Sequence, residues 1–220
     1  NNGTPTSVTE SLILPEGQNN RDTQGFLMNR ERVGLNLDGV SAFVGDLGMG
    51  DAYGSDAMSI GCWFKCADVS SSTIQFIWGE GHYSIPNQYG FGLGILSSNL
   101  RGTAGNNATA VWDNLNYSIS SDTWYHAVLV YDKDNGDTND HFYRLYVDGE
   151  LRDSYDTDNT PRFSGTFESY LIGCVGDHDA APNYGKFFKG SIDDVTLYST
   201  ALSAPQVLRN YKAGKGRHRN

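Results

Sequence analysis

Proline, methionine and cysteine are all scarce in this chain, at six, three and three among 220 residues. An odd set of cysteines cannot close a disulfide framework. Cys62 and Cys66 stand four apart in a stretch that reads as one strand, which puts them on one face about 13 Å apart, too far to bridge. Cys174 reaches either of them only through a tertiary contact, so buried free thiols acting as small apolar groups are expected. Metal-type Cys/His spacing is missing. No apolar run approaches the roughly 18 residues that span a bilayer, and no charged-then-apolar leader opens the chain, so no membrane partner is expected. The chain starts at Asn1 rather than Met, which leaves an upstream segment, a removed leader included, an open matter.

Basic residues are also few. Sixteen Lys and Arg stand against 26 Asp and Glu, a net charge of −10, and such an acidic body repels DNA, RNA and anionic lipid. Lys212, Lys215, Arg217 and Arg219 lie in the last nine residues with no acid among them; without these four, 12 bases face 26 acids, a net −14, in residues 1–211. Residues 212–220 therefore read as a basic tail, a solvated terminus. A docking peptide for an acidic partner or a nucleic acid is the sharper alternative.

What is plentiful is glycine, tyrosine and phenylalanine, at 26, 13 and 10, the supply of a chain of strands joined by tight turns. A β-sandwich of this length commonly forms a single domain. Residues 1–34 are polar and turn-rich, with one apolar stretch at Leu12, Ile13 and Leu14, and read as an extension or edge strand packed on the domain. Leu35, Leu37, Phe43 and Val44 flank Asp38-Gly39, a turn pair. Met58, Ile60, Cys62 and Phe64 alternate with Ser59, Gly61, Trp63 and Lys65, the period of a strand with one face on the core. Residues 73–78, 89–96 and 108–112 continue as strands. The run 124–131 is apolar on both alternating faces, and it should pair with 142–147 through the loop 132–141. Asp148-Gly149 then signals a type I′ hairpin into Glu150-Leu151. Residues 170–175 and 187–198 read as a last pair of strands. After Ser203, a plausible N-cap, Pro205 opens a short helix with Val207, Leu208 and Tyr211 at helical spacing.

Five blocks carry a family resemblance: 35–44 (LNLDGVSAFV), 58–65 (MSIGCWFK), 124–131 (WYHAVLVY), 145–149 (LYVDG) and 188–198 (FKGSIDDVTLY) followed by 201–203 (ALS). In this order they resemble the signature strands of laminin-G-like jelly-roll domains, within the concanavalin-A-like lectin and glucanase superfamily. The resemblance covers about residues 35–211. It implies an all-β fold, a two-sheet antiparallel jelly-roll sandwich of roughly a dozen strands with a short C-terminal helix. The ending 202–217 (LSAPQVLRNYKAGKGR) is similar to the close of such domains in bacteriophage virion proteins. That implies a place on the virion surface or outside the cell, as a capsid decoration, fibre or tail component within a larger assembly.

Chemistry divides this superfamily. Its glucanases need two carboxylates facing each other, one to donate a proton and one to attack or activate water. Their usual strand motif, Glu-x-Asp-x-x-Glu, is missing, and Glu80-Gly81-His82 lacks a second acid at the right offset. No nucleophile elbow surrounds any serine. The expectation is therefore a module that binds and does not catalyse, its partners being glycans or host-surface polysaccharide together with other virion subunits. A purely structural virion subunit and a divergent glycosidase are the alternatives.

Asp177, His178, Asp179, Asn183 and Tyr184 combine carboxylates, imidazole, amide and ring in one loop, the mixture that sugar hydroxyls and sugar faces require. A polar turn with Tyr184 packed on the sandwich competes with that reading. Trp78, His82 and Tyr83 are further ligand candidates; with Tyr89 and Trp112 they fit core or rim. Trp63 and Trp124 read as packing. Related sandwiches often hold a structural Ca2+, so the resemblance implies Asp193 as a ligand, with Asp38 beside it. Asp132, Asp134, Asp137 and Asp140 are not an EF-hand, because Tyr143 stands at the twelfth position.

Overall fold

A computed structural model of the chain describes residues 34–44, 57–80, 91–104, 115–133, 141–157, 170–177 and 183–219. Among them lie thirteen strands, β1 (Leu35–Asp38), β2 (Ala57–Cys66), β3 (Gln75–Glu80), β4 (Phe91–Leu96), β5 (Asn99–Ala104), β6 (Leu115–Ser118), β7 (Trp124–Asp132), β8 (His141–Val147), β9 (Glu150–Thr157), β10 (Tyr170–Ile172), β11 (Val175–Asp177), β12 (Asn183–Gly185) and β13 (Lys189–Tyr198), and one helix, α1 (Ala204–Gly214). The larger sheet has the order β1-β13-β2-β7-β8-β9 and the smaller β10-β3-β4-β5-β6, while β11 and β12 form a ribbon. Every ladder is antiparallel. This is the expected two-sheet sandwich with a short C-terminal helix.

Alternation decides which residues meet between the sheets. Met58, Ile60, Cys62 and Phe64 of β2 are fully buried and pack with Phe91, Leu93, Ile95 and Leu100 of the smaller sheet. Each such side chain contributes roughly 1.5–3 kcal/mol by leaving water. In β7 the inward set is Ala127, Leu129 and Tyr131. Its other face, Val128 and Val130, joins Tyr146 of β8 against Leu202 and Val207. The apolar character of both faces of 124–131 thus has a cause: α1 covers the outside of the larger sheet. Ser203 starts this helix, and its backbone N–H and hydroxyl both donate to Gln206 Oε1, at 2.8 and 2.6 Å.

Several local expectations need revision. Asp148 and Gly149 sit at φ +53° and +82°, as a type I′ turn requires, and join β8 to β9. A second turn of the same kind joins β4 to β5 at Ser97 and Ser98, φ +49° and +63°; no glycine announces it. Backbone bonds from Ser97 N–H to Ser71 O (3.0 Å) and from Ser98 N–H to Val69 O (2.6 Å) hold it. The stretch 108–112 falls outside the described residues. Asp38-Gly39 does turn the chain, yet β1 leaves to pair with β13 and Val44 bridges to Ile172. The final "pair" 170–175 and 187–198 is not a pair: β10 joins β3, and β13 lies between β1 and β2.

Gly173 makes that division. At φ +86° it bends the chain out of β10, and a Cβ there would run into Leu37 Cδ1. Gly173→Ala combines a left-handed backbone cost with overpacking, so urea unfolding should show a loss of about 3 kcal/mol. An unchanged midpoint would contradict this role.

Candidate functional site

The structure separates the residues singled out in the sequence. Trp78 is 1% exposed and packs edge-on to Phe91 at 5.9 Å, inside the main core. It cannot face a ligand. A bulge between Phe76 and Trp78 is responsible, because it turns both Ile77 and Trp78 inward and leaves Phe76 to a separate cluster with Ile74 and Val175. Asp177 stands opposite Asn183 in the β11–β12 ladder, and Tyr184 opposite Gly176. His178, Asp179, His82 and Tyr83 fall outside the described residues, as do Tyr89 and Trp112. The strands leading to the first four advance side by side: Gly173 N–H donates to Ile77 O at 2.8 Å, and Val175 Cγ2 lies 3.2 Å from the Cβ position of Gly79. β3 and β11 therefore lie beside each other.

Asp38 and Asp193 do not share a site. In the β1–β13 register Asp38 faces Lys189 and Leu35 faces Ile192, so Asp193 lies more than three residues further along, about 13 Å at the usual rise. Asp38 Oδ1 accepts the N–H groups of Val40, Ser41 and Ala42 at 2.8, 2.9 and 3.0 Å, and Oδ2 accepts the Ser41 hydroxyl at 3.2 Å. Those backbone N–H groups hold its carboxyl far below the usual carboxylate range. It is a turn anchor whose oxygens are already used, and a shared Ca2+ site does not fit these residues.

Asp193 belongs to a different constellation. The β13–β2 register slips between Asp193 and Thr196, with Asp194 at φ +49°, and this bulge presents two consecutive carboxylates on the outer face. Asp194 is paired with Arg217, and Asp193 Oδ2 lies 3.0 Å from His218 Nε2. The carboxylates and the imidazole lie within 4.8 Å of one another. His218 Nδ1 is 3.1 Å from Gly214 O. Both neighbours of this 6%-exposed ring, Asp193 Oδ2 and Gly214 O, are oxygen acceptors. The ring stacks on Trp63 at 4.3 Å and 9°, and meets Trp124 edge-on at 4.8 Å. The tail is thus no solvated terminus. From Gly214 to His218 it is seated on the larger sheet, with Arg217 paired to Asp194 and the His218 ring against Asp193.

Beneath the tail, His126 of β7 is buried, 5.2 Å from Trp63 and 6.0 Å from Tyr211. Its Nδ1 has no hydrogen-bond partner among the described residues, and burial pushes the ring down to about 4 against the opposing pull of Asp194. The backbone N–H of His126 donates to Asp148 Oδ1 at 3.0 Å, which ties the β8–β9 turn to β7. Burial also raises the Asp148 carboxyl, against that hydrogen bond and the nearby charge of Arg152. Around these groups opens a cleft of about 430 Å³, floored by Trp63 and His218 and walled by Trp124, Tyr211, Asp148, Lys215 and Arg219. Sequence reasoning placed Trp63 and Trp124 in packing, which Trp63 bears out at 3% exposure, but it missed His126, Asp194, Tyr211 and His218. The one available signal was opposite charge: a base-only tail and an Asp-Asp pair in β13.

All three thiols, Cys62, Cys66 and Cys174, are free and buried, and burial pushes them up to about 12, 11 and 12. They are inert packing groups.

A laminin-G-type family model of the Concanavalin A-like lectin/glucanases superfamily matches residues 45–208, so the chain belongs to that superfamily. No curated protein matches it in sequence. Among solved structures, the botulinum neurotoxin serotype D binding domain superposes with TM-score 0.56 at 15% identity, over 80% of this chain and 41% of that one. The binding domain of botulinum neurotoxin DC in complex with SialylT gives 0.52 at 17%, over 72% and 35%. The Ruminococcus gnavus IT-sialidase CBM40 bound to alpha2,3 sialyllactose gives 0.56 at 20%, over 71% and 83%. At these identities the likeness concerns the fold. The chain spans less than half the length of the neurotoxin binding domains it matches.

His126 makes stability depend on pH. Its folded value lies below that of the unfolded chain, so the unfolded state gains the proton first and stability, full above about 6.5, declines as pH falls towards about 4. The full loss is about 3 kcal/mol. Denaturant melts from pH 7 to pH 4 should show this decline, and His126→Phe should flatten it; an equal decline in the variant would remove His126 as the cause.

Proposed function

We propose that the chain is a non-catalytic carbohydrate-recognition module. The observation that carries this reading is the state of the acids. The superfamily comprises lectins and glucanases, and hydrolysis needs a facing pair of carboxylates, one protonated and one free. Here the Asp193 and Asp194 carboxylates, which do converge, are bound to His218 and Arg217 on the outer face, and the strand motif Glu-x-Asp-x-x-Glu is missing from the sequence. Two of the similar solved structures hold sialylated ligands by name, which supports a glycan as partner here.

The contacts we assign to that glycan are Asp177, His178, Asp179, Asn183 and Tyr184, with His82 and Tyr83. The support is that β3 and β11 lead to these segments side by side, and that the ribbon sets Asp177 opposite Asn183. We further propose display on a virion, as a capsid decoration, fibre or tail component among other subunits. That part rests on the similarity of residues 202–217 to the close of virion domains.

A glycan array probed with the full chain, beside a reducing-end assay on a polysaccharide panel, tests the reading. Saturable binding to at least one glycan class is expected, with no product, and Tyr184→Ala should weaken it by about tenfold, the loss of one stacking contact. Release of reducing ends would make the chain a glycosidase. Binding to no glycan would leave a structural subunit.

A further inference from the structure

The cleft on the outer face of the larger sheet lies apart from the ribbon edge, and its chemistry is of another kind. Trp124 and Tyr211 are half-buried. Lys65 Nζ stands 5.5 Å from the Trp124 ring centroid, and Lys215 Nζ stands 5.2 Å from that of Tyr211. Lys215 and Arg219 are exposed and make no ion pair among the described residues, whereas Arg217 is committed to Asp194. Asp148, half-buried in the wall, offers an acceptor.

A chain of net charge −10 places Lys65, Lys215 and Arg219 beside the half-buried Trp124 and Tyr211 at this cleft. Cations alone would suit any anion, and rings alone any apolar face. Together with one carboxylate they suit a ligand that has an apolar face for stacking, hydroxyls to donate to Asp148, and a negative group for Lys215 and Arg219. The cleft has a volume of about 430 Å³. Asp148 opposes a polyphosphate, whose oxygens donate nothing to a carboxylate.

We infer that the cleft walled by Trp124, Tyr211, Asp148, Lys215 and Arg219 is a second binding site, which takes an acidic saccharide. The saccharide half of this inference rests on the recognition reading above; the acidic half rests on Lys215 and Arg219. The site is assembled by the C-terminal segment, because Tyr211, Lys215 and Arg219 all arrive with α1 and the turn that follows it. Deep seating of His218 on Trp63 holds those three in place.

The test titrates the full chain with 3′-sialyllactose, a chondroitin sulfate tetrasaccharide and neutral lactose, followed by tryptophan fluorescence and calorimetry. Lys215→Glu and Arg219→Glu are the variants, chosen because both side chains are exposed. The two acidic probes should bind, weaken with added salt, and lose about tenfold in affinity in each variant. Lactose should bind more weakly and respond to neither change. Acidic probes that bind equally well to wild type and variants would overturn the cleft while leaving the recognition reading intact. Lactose binding as tightly as the acidic probes would overturn the acidic class. If no saccharide binds any form, the recognition reading fails and takes this site with it.

Discussion

Val128, Val130 and Tyr146 point away from the space between the two sheets, so the larger sheet carries apolar side chains on both faces. The smaller sheet can cover only one. Leaving those three in water would forfeit roughly 5–9 kcal/mol of burial, as much as the net stability of many domains. Leu202 and Val207 close that face, and the rest of the C-terminal segment follows from where they put it. Once α1 lies across β7 and β8, Tyr211 falls on Trp63 with ring centroids 5.6 Å apart, Gly214 ends the helix against the indole, and His218 reaches the acids of β13.

Those acids explain why the segment ends in bases. Two carboxylates on one bulge repel each other and need cations nearby. Arg217 from the tail pairs with Asp194, and the His218 ring lies against Asp193. That arrangement joins the two C-terminal elements, β13 and the tail, by charge as well as by apolar contact. It also leaves Lys215 and Arg219 on the rim of an aromatic cleft, the arrangement from which an acidic ligand is inferred. Asp38, the other acid expected to hold an ion, instead ties down the turn after β1 through three backbone N–H groups.

Much of the sandwich was legible in the chain because side-chain period reports it directly. β2, the pairing of β7 with β8, the Asp148-Gly149 hairpin and the start of α1 all follow from alternation, turn chemistry and capping. Strands β5 and β6 were missed for a local reason. The turn between β4 and β5 consists of two serines at positive φ, a conformation set by tertiary backbone bonds to Val69 and Ser71 and unmarked by glycine or asparagine. Trp78 was misjudged because a bulge reverses the facing of its strand, and a bulge leaves no composition signature. The outer-face site was illegible for a different reason: its parts lie as far apart as Trp63 and His218 in sequence, and a basic terminus ordinarily stays in water. What could be read there was the doubly apolar face of β7, which already called for a cover.

The seat of the tail on Trp63 is the central claim, and Gly214 tests it by sign. Where glycine holds a backbone conformation open to any residue, its replacement by alanine ordinarily stabilises by roughly 0.4–1 kcal/mol. Here a Cβ on Gly214 would strike the Trp63 indole at Nε1 and Cε2, so Gly214→Ala should lower the melting temperature and blue- or red-shift the tryptophan emission as the ring is displaced. A variant that melts higher than the parent with unchanged emission would contradict the docking of this segment and the cleft it builds.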